Sequence, residues 1–346
     1  MDLTKKTIPL HLHPLGFINA FTQLGVDLDA LLQSAKIDRK ALKSNQEKIS
    51  YSQFIDLIQC GIQTSDRPGL GLYACERFNW IYHGVVGLAL TASSTFNQAG
   101  LAFQRYSCIP QPYYMPYRCN PFYYLNNRME AIIPIEHLIT TVQTQPEIYR
   151  FEVEFRMGLL FRILKQFGGK KMADQARFEL NISEPTQSGL YEKLTISNIR
   201  YGCSHSRLIL PALAIDTEGN LLSRGIYKQT LEYCDQELRK LTKDAPNIEH
   251  VRTLLVENLP HYPGIDAVAK RMEMTPRTLA RKLKQEGTSF TDALNAIRSE
   301  IAIYLLRSTS LSVDDIAESV GFSETSNFRQ AFVKWTGHSS REYRAH

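Results

Sequence analysis

Gly202-Cys203-Ser204-His205-Ser206 places a thiol, two hydroxyls and an imidazole close together in sequence, the group types of nucleophilic catalysis. The stretch lacks the last glycine of a nucleophile elbow, and no strand–turn–helix pattern surrounds it. His11-Leu12-His13 offers two imidazoles to a metal, but with no further ligand placed the pair is expected at the surface. Gly69-Leu70-Gly71 lacks the third glycine and the preceding strand of a dinucleotide site. The cysteines at 60, 75, 108, 119, 203 and 234 form no C-x-x-C pair, so zinc-ribbon and thioredoxin chemistry lose support and reduced thiols are expected. No catalytic residue, metal or cofactor is therefore expected, and the chain is not expected to be an enzyme.

Recognition chemistry sits elsewhere. Arg277, Arg281 and Lys284 fall on one face of a helical stretch, with Thr278 and Gln285 beside them and Leu279 and Leu283 opposite. Farther on, Ser326, Gln330 and Val333 oppose Phe328, Phe332 and Trp335, and Asn327 and Arg329 flank them. Arginine bonds guanine edges in bidentate fashion, asparagine and glutamine do so with adenine, and methyl groups meet thymine. The helix starts near Thr275 and Thr325 have free N–H groups suited to phosphates. The candidate contacts to double-stranded DNA are Thr275, Arg277, Thr278, Arg281, Lys284, Gln285, Thr325, Ser326, Asn327, Arg329 and Gln330.

The elements that must position these residues form an internal repeat. Ile265-Asp266-Ala267-Val268-Ala269-Lys270-Arg271-Met272-Glu273-Met274-Thr275 matches Val313-Asp314-Asp315-Ile316-Ala317-Glu318-Ser319-Val320-Gly321-Phe322-Ser323 at a constant offset of 48. Each copy reads as a short helix, a tight turn and a new N-cap, Thr275 or Ser323. A second helix follows, which makes the helix-turn-helix pattern. Small Ala269 and Ala317 let the second helix cross close to the first. Gly321 suits a turn at positive φ, and Glu273 at the matching site makes a less ideal one. Phe290–Leu306 reads as an amphipathic helix bridging the two copies. If it holds them rigidly, their second helices reach successive major grooves on one DNA face, about 34 Å apart.

Charge locates these faces without revealing them in the total. The 346 residues carry 40 Lys+Arg and 35 Asp+Glu, a net +5. Residues 245–346 carry 13 and 12 of these. Basic clusters at 270–284 and 329–344 (Arg329, Lys334, Arg341, Arg344) flank Asp314, Asp315, Glu318 and Glu324. The aspartates fall in a first helical turn, where the helix dipole favours acids.

The first 215 residues or so read as α+β. Helical stretches are predicted at Leu15–Leu32, with a turn at 24–27 and Asp27 as a cap, and at Ile49–Gln63, capped by Ser50 or Ser52. Gly84–Ala92, Asn97–Tyr106 and Ile148–Phe167 continue the series. Tyr123–Leu125 and Met129–Ile133 suit a hairpin about Asn126-Asn127. Strands are predicted at Arg177–Ile182, Ile196–Tyr201 and Arg207–Leu210. The Tyr/Phe/Pro cluster at 110–124 suits core packing or a ligand pocket. Arg105, Arg118 and Arg150 are the nearest partners for an effector carboxylate, each read as a surface residue. In Asn220–Leu241 the residues Tyr227, Leu231, Cys234, Leu238 and Leu241 recur at spacings of 4 and 3. This suits a helix packed on its own domain or a dimerisation helix. No apolar run nears the ~18 residues of a membrane span, and a cytoplasmic protein is expected.

Residues 248–344 resemble the AraC/XylS family of bacterial transcription regulators. The resemblance rests above all on Ile316-Ala317-Glu318-Ser319-Val320-Gly321-Phe322-Ser323-Glu324-Thr325-Ser326-Asn327-Phe328, then Ala331-Phe332, Trp335-Thr336-Gly337 and Tyr343-Arg344. Gln330 and Val333 stand where the family usually has Arg or Lys nearby, and Ser340 where it often has Pro. Gly25–Leu32, Arg67-Pro68-Gly69-Leu70-Gly71-Leu72 and Gly87–Tyr106 resemble the longer sensor domain of a subgroup. The resemblance implies an α+β sensor domain for an unidentified small-molecule effector at 1–219. It implies an all-α DNA-binding domain with two helix-turn-helix units joined by a helix at 248–346. Residues 220–247 would be a candidate dimerisation helix and linker. Promoter DNA, RNA polymerase and a second copy of the chain are the implied partners.

Overall fold

Side-chain caps set helix starts early in the chain. Asp27 accepts from the Ala30 N–H at 2.8 Å and opens α2 (Leu28–Ser34), just after α1 (His13–Gln23). Ser50 and Gln53 form a reciprocal capping box at α3 (Tyr51–Thr64), which satisfies two otherwise unpaired N–H groups. The computed structural model describes residues 4–65, 67–111, 124–126, 130–135, 145–185, 196, 198–219, 224–242, 246–256, 258, 261–309 and 311–345. Most of the proline-aromatic cluster, the turn residue Asn127 and Arg118 lie outside the described residues. Contacts divide the chain into one unit of residues 1–115 and 130–237 and another of 116–129 and 238–346.

In the first unit β1 (Lys6–Pro9) pairs antiparallel with β2 (Lys48–Ser50). Helices α4 (Leu70–Arg77), α5 (Val85–Ala92), α6 (Phe96–Tyr106) and α7 (Pro146–Gln175) follow α3, and α7 is broken at Gly169. A short strand, β3 (Tyr124–Asn126), whose residues are grouped with the second unit, and then β4 (Glu130–Pro134) of the first stand where the two hairpin arms are predicted. Next come β5 (Arg177–Glu179), β6 (Ile199–Arg200) and β7 (Arg207–Pro211), and the unit's sheet runs β4-β7-β5-β6. Among the described pairs of this sheet only β5–β6 is parallel. Ala131–Ile133 and Leu208–Leu210 are buried without alternation, so the sheet is covered on both faces. Glycine lets α4 and α7 approach closely: a Cβ on Gly71 would lie 2.3 Å from the Phe151 carbonyl oxygen. The Gly69-Leu70-Gly71 stretch is thus a helix start and a packing contact.

The expectation of a surface His11-Leu12-His13 pair is corrected for His13. It begins the buried row of α1 with Phe17 and Phe21, and is 3% exposed. Phe17, Phe78 and His83 surround it at ring centroid distances of 4.9, 5.1 and 5.3 Å. A residue at i and another at i+4 share a helix face, so the Phe17 side of α1 takes His13 inward. His83 is equally buried, and neither of its ring nitrogens finds a partner. Burial and, after it, the positive charge of Arg162 lower the His83 pKa to about 4. His13 is also lowered, by burial first and then by the charges of His83 and Arg156.

Helix α8 (Arg224–Thr242) carries the seam predicted at 227–241. Tyr227 donates its hydroxyl to the Gln98 carbonyl at 3.2 Å. Asp235 accepts from Arg105 at 2.9 Å and from the Tyr106 hydroxyl at 2.8 Å. Cys234 is fully buried between these contacts in sequence, and burial pushes its thiol up to about 12. The first part of the seam is therefore packed on its own unit. The five described cysteines are free thiols.

The second unit is helical from 247 on: α9 (Asn247–Val256), α10 (Ile265–Arg271), α11 (Pro276–Gln285), α12 (Phe290–Ser308), α13 (Val313–Ser319), α14 (Thr325–Thr336) and α15 (Ser340–Ala345). One apolar core runs through both copies of the repeat, from Val268, Leu279 and Leu283 through Ile297, Ile301 and Leu305 to Ile316, Phe328 and Phe332. The predicted bridge is α12. The two turns share one hydrogen-bond scheme. Met274 N–H donates to the Ala269 carbonyl and Phe322 N–H to that of Ala317, each at 2.9 Å. Glu273 N–H donates to Lys270 and Gly321 N–H to Glu318, at 3.1 and 3.0 Å. This is the Schellman ending, which needs a left-handed residue after the helix. Gly321 has φ 77° and Glu273 has φ 56°.

Two outcomes follow. An L residue in the left-handed region costs about 1–2 kcal/mol, so Glu273→Gly should stabilise the second unit by about 1 kcal/mol and raise its melting temperature in a calorimetric scan. For His83 the folded-state pKa lies below the unfolded value of 6.5. Its contribution is full above pH 6.5 and is lost as pH falls toward 4. Urea titrations at pH 7 and pH 5 should differ by about 2 kcal/mol from this group alone. His83→Phe, which removes the buried nitrogens, should narrow that difference.

Candidate nucleic-acid interface

Thr275 opens α11 with an extended backbone, and its hydroxyl accepts from the Thr278 N–H at 3.2 Å. The Thr275 and Thr278 hydroxyls lie 2.9 Å apart. Pro276 occupies the first helical position, where a missing N–H has no cost. Leu279 and Leu283 are fully buried. The opposite side of the helix presents Arg277, Arg281, Lys284 and Gln285 to solvent, and Thr278 is half-buried. Among the described residues none of Arg277, Arg281 and Lys284 makes an ion pair.

In the second copy Phe328 and Phe332 are fully buried, and Phe322 and Trp335 pack against the same core. Ser326, Asn327, Arg329, Gln330 and Val333 are exposed, and Thr325 is half-buried. The predicted cap is corrected by one position. The N-cap of α14 is Glu324, not Ser323, and its side chain makes no capping hydrogen bond. The Schellman ending closes at Phe322, and one more residue separates it from the second helix than in the first copy. Ser326 Oγ and Asn327 Nδ2 each lie 3.4 Å from Glu324 Oε2, so the carboxylate gathers two of the candidate side chains at the helix start. Gly337 at φ 76° ends the helix.

The acids of this unit have local tasks. Glu286 accepts from the N–H groups of Asn247 and Ile248 at 2.8 and 2.9 Å, which closes the start of α9. Its desolvation works the other way, but these hydrogen bonds hold the carboxyl below the usual range. Asp315 forms a capping box with Ser312 at α13, and Asp314 sits in the same first turn, as predicted. One member of the basic cluster at 329–344 also has a local contact. Arg344 donates to the Leu311 carbonyl, so its guanidinium ties α15 to the loop before α13. Lys270, at the end of α10, and Lys334, on α14, are exposed cations that the helical-face argument does not select.

The groups considered for catalysis fall apart. Gly202-Cys203-Ser204-His205 is a loop between β6 and β7, a strand-to-strand connection. Arg105 is held by Asp235, and Arg150 donates to the Ser183 carbonyl and hydroxyl at 2.8 and 2.7 Å. The first unit has an open groove of about 480 Å³ over α1 and the following turn, lined by Leu15, Ile18, Asn19, Thr22, Val26 and Asp27 among others. Its volume falls in the small-molecule range. Sequence periodicity gives no sign of it, because the groove is made by two helices meeting at a turn.

Two protein-family descriptions match the chain. The "Arabinose-binding domain of AraC transcription regulator, N-term" matches residues 25–218, more than half of it. The "Helix-turn-helix domain" matches residues 268–346. The ornithine utilization regulator of Pseudomonas aeruginosa is 23% identical over 347 residues, covering 99% of this chain and 98% of that protein. The HTH-type transcriptional regulator VqsM of the same organism is 40% identical over 92 residues, 26% of this chain and 28% of that one. The higher identity of the shorter match falls in a length that fits the helix-turn-helix part alone. No helix among the described residues is long and apolar enough to cross a membrane. The chain belongs to the AraC family: it is a DNA-binding transcription regulator with an N-terminal ligand-binding domain and a C-terminal helix-turn-helix domain.

Proposed function

We propose that this chain reads an asymmetric promoter site with α11 and α14 in successive major grooves, under control of a small molecule held by its first unit. The carrying observation is that two helices, each following the same Schellman turn and each buried by one edge on a shared core, leave polar faces exposed. Arg277, Arg281 and Lys284 would supply base and phosphate contacts in one groove. Gln330, with Ser326, Asn327 and Arg329, would supply mainly uncharged readout in the other. Thr275 and Thr325 would offer backbone N–H groups to phosphates, since the Thr275 hydroxyl already accepts within the helix.

Effector control is supported by the family of the N-terminal domain and by the groove beside α1. RNA polymerase is the further partner that a promoter-bound regulator calls for, and both partners imply a cytoplasmic protein. A homodimer through α8 would use Ile226, Tyr233 and Leu241, which are 52%, 50% and 40% exposed. Cys234 and Tyr227 are already engaged.

Arg281→Ala should weaken binding to a duplex selected by the wild-type chain from random double-stranded DNA by about 10- to 100-fold. Because the side chain is exposed, thermal unfolding should stay within about 0.5 kcal/mol of wild type. Gln330→Ala should relax base preference in the other half of the site with a smaller change in salt dependence, since it removes no charge. Equal wild-type affinity for the selected duplex and for unselected DNA at matched salt would overturn the reading.

A further inference from the structure

Arg298 lies mid-way along α12, between core residues Ile297 and Ile301. Ile297 beside it and Ile301 one turn on face the apolar core, yet Arg298 carries a guanidinium into a half-buried setting. Its Nε is buried with no partner. A charged group held in that way is costly unless it makes contacts that an apolar side chain of similar size cannot.

The contacts join the two repeats. One guanidinium nitrogen donates to the Gly321 carbonyl at 3.2 Å, the left-handed residue of the second Schellman turn. The guanidinium carbon lies 4.7 Å from the centre of the Phe322 ring and 5.0 Å from that of Tyr262, within the range of cation–π attraction. Phe322 in turn meets Phe328 at 5.7 Å and Trp335 at 5.9 Å, on the buried edge of α14. Tyr262 stands in the segment that leads into α10, the first helix of the other repeat. One planar cation therefore touches the entry of the first helix-turn-helix unit and the turn of the second.

We infer that Arg298 is a positioning residue that sets the separation and angle of the two recognition helices, and so the spacing of the half-sites the chain accepts. The inference rests on the proposed two-groove reading. The Gly321 carbonyl fixes where the turn sits, and the Phe322 ring carries that position into α14. A lysine cannot replace this arrangement, because an ammonium lacks the flat face and the fork of donors. One inserted base pair moves the second groove by about 3.4 Å, enough to misplace a rigidly held helix.

The test uses the full chain and a duplex selected by it from random double-stranded DNA. Three further duplexes carry one inserted base pair between half-sites, two inserted base pairs, or a scrambled second half-site. Wild type should lose about tenfold or more on the first insertion. Arg298→Met should lose about tenfold on the intact duplex, keep wild-type affinity for the duplex with the scrambled half, and respond little to the insertions. Arg298→Lys should behave like Arg298→Met. Far-ultraviolet circular dichroism and melting are followed for each variant. If Arg298→Met does not fold, the folded Arg298→Lys gives the same comparison. Full wild-type spacing dependence in a folded variant overturns the inference, and so does equal loss on the intact and scrambled duplexes, which would mark a purely structural role. The two-groove reading fails separately, if wild type selects no sequence or if Arg281→Ala binds as wild type does.

Discussion

A single apolar stripe along α12 has to serve two three-helix units at once. Ala293, Ile297, Ile301, Ala302, Leu305 and Leu306 are all 2% exposed or less, and one core passes through them from Leu279 to Phe332. Burying one of these isoleucines or leucines contributes about 1.5–3 kcal/mol, and truncating one to alanine in a packed core typically costs about 2–5 kcal/mol. An exposed residue on α11 or α14 contributes far less to folding. The buried edges therefore fix where the two helices stand, while their outer faces remain open to whatever chemistry a ligand requires. This separation of tasks is what allows outer faces of different character, with three cations on that of α11 and Ser326, Gln330 and Val333 on that of α14, to be carried by one folding unit.

The same separation explains what the sequence makes legible. A repeat at constant offset is visible because each copy must rebuild the same turn: the small Ala269 and Ala317 sit at the carbonyls that accept the closing hydrogen bonds, and the next residue but three turns left-handed. Leucine and phenylalanine spacing then orients the exposed faces, since a helix buries positions three and four apart. Features that depend on long-range partners are not encoded in any local pattern. The contact of Arg344 with the Leu311 carbonyl is not visible in the basic cluster it belongs to. Ser323 looks like a better cap than Glu324, and only the point at which the turn closes decides between them. His13 resembles a surface ligand beside His11, and is drawn inward by Phe17 on the following turn. In the first unit the helix caps at Asp27 and Ser50 are local and were readable, whereas the strand order β4-β7-β5-β6 joins segments up to about eighty residues apart in the chain.

Net charge shows the same contrast in a form that bears on binding. A domain with 13 basic and 12 acidic residues from 245 on gives no electrostatic reason to approach DNA if its charges are taken as evenly spread. They are not. Glu286 closes α9, Asp315 closes α13, Glu300 pairs with Arg252 at 2.6 Å, and Asp292 bonds to Ser289 at the start of α12. Each of these carboxylates is held at a helix terminus or by an arginine. Arg298, Arg307 and Arg344 are likewise turned to rings or carbonyls within the unit. What is left on the outer face of α11 is Arg277, Arg281 and Lys284, with no acid among the described residues paired to them. Attraction that falls off within about 8–10 Å at moderate salt responds to that local excess and not to the domain total. On the proposed reading the three cations on the outer face of α11 would supply most of the salt-dependent affinity, and α14, with Arg329 and Lys334 set beside an uncharged Gln330 and Val333, would depend more on the fit of its side chains to base edges.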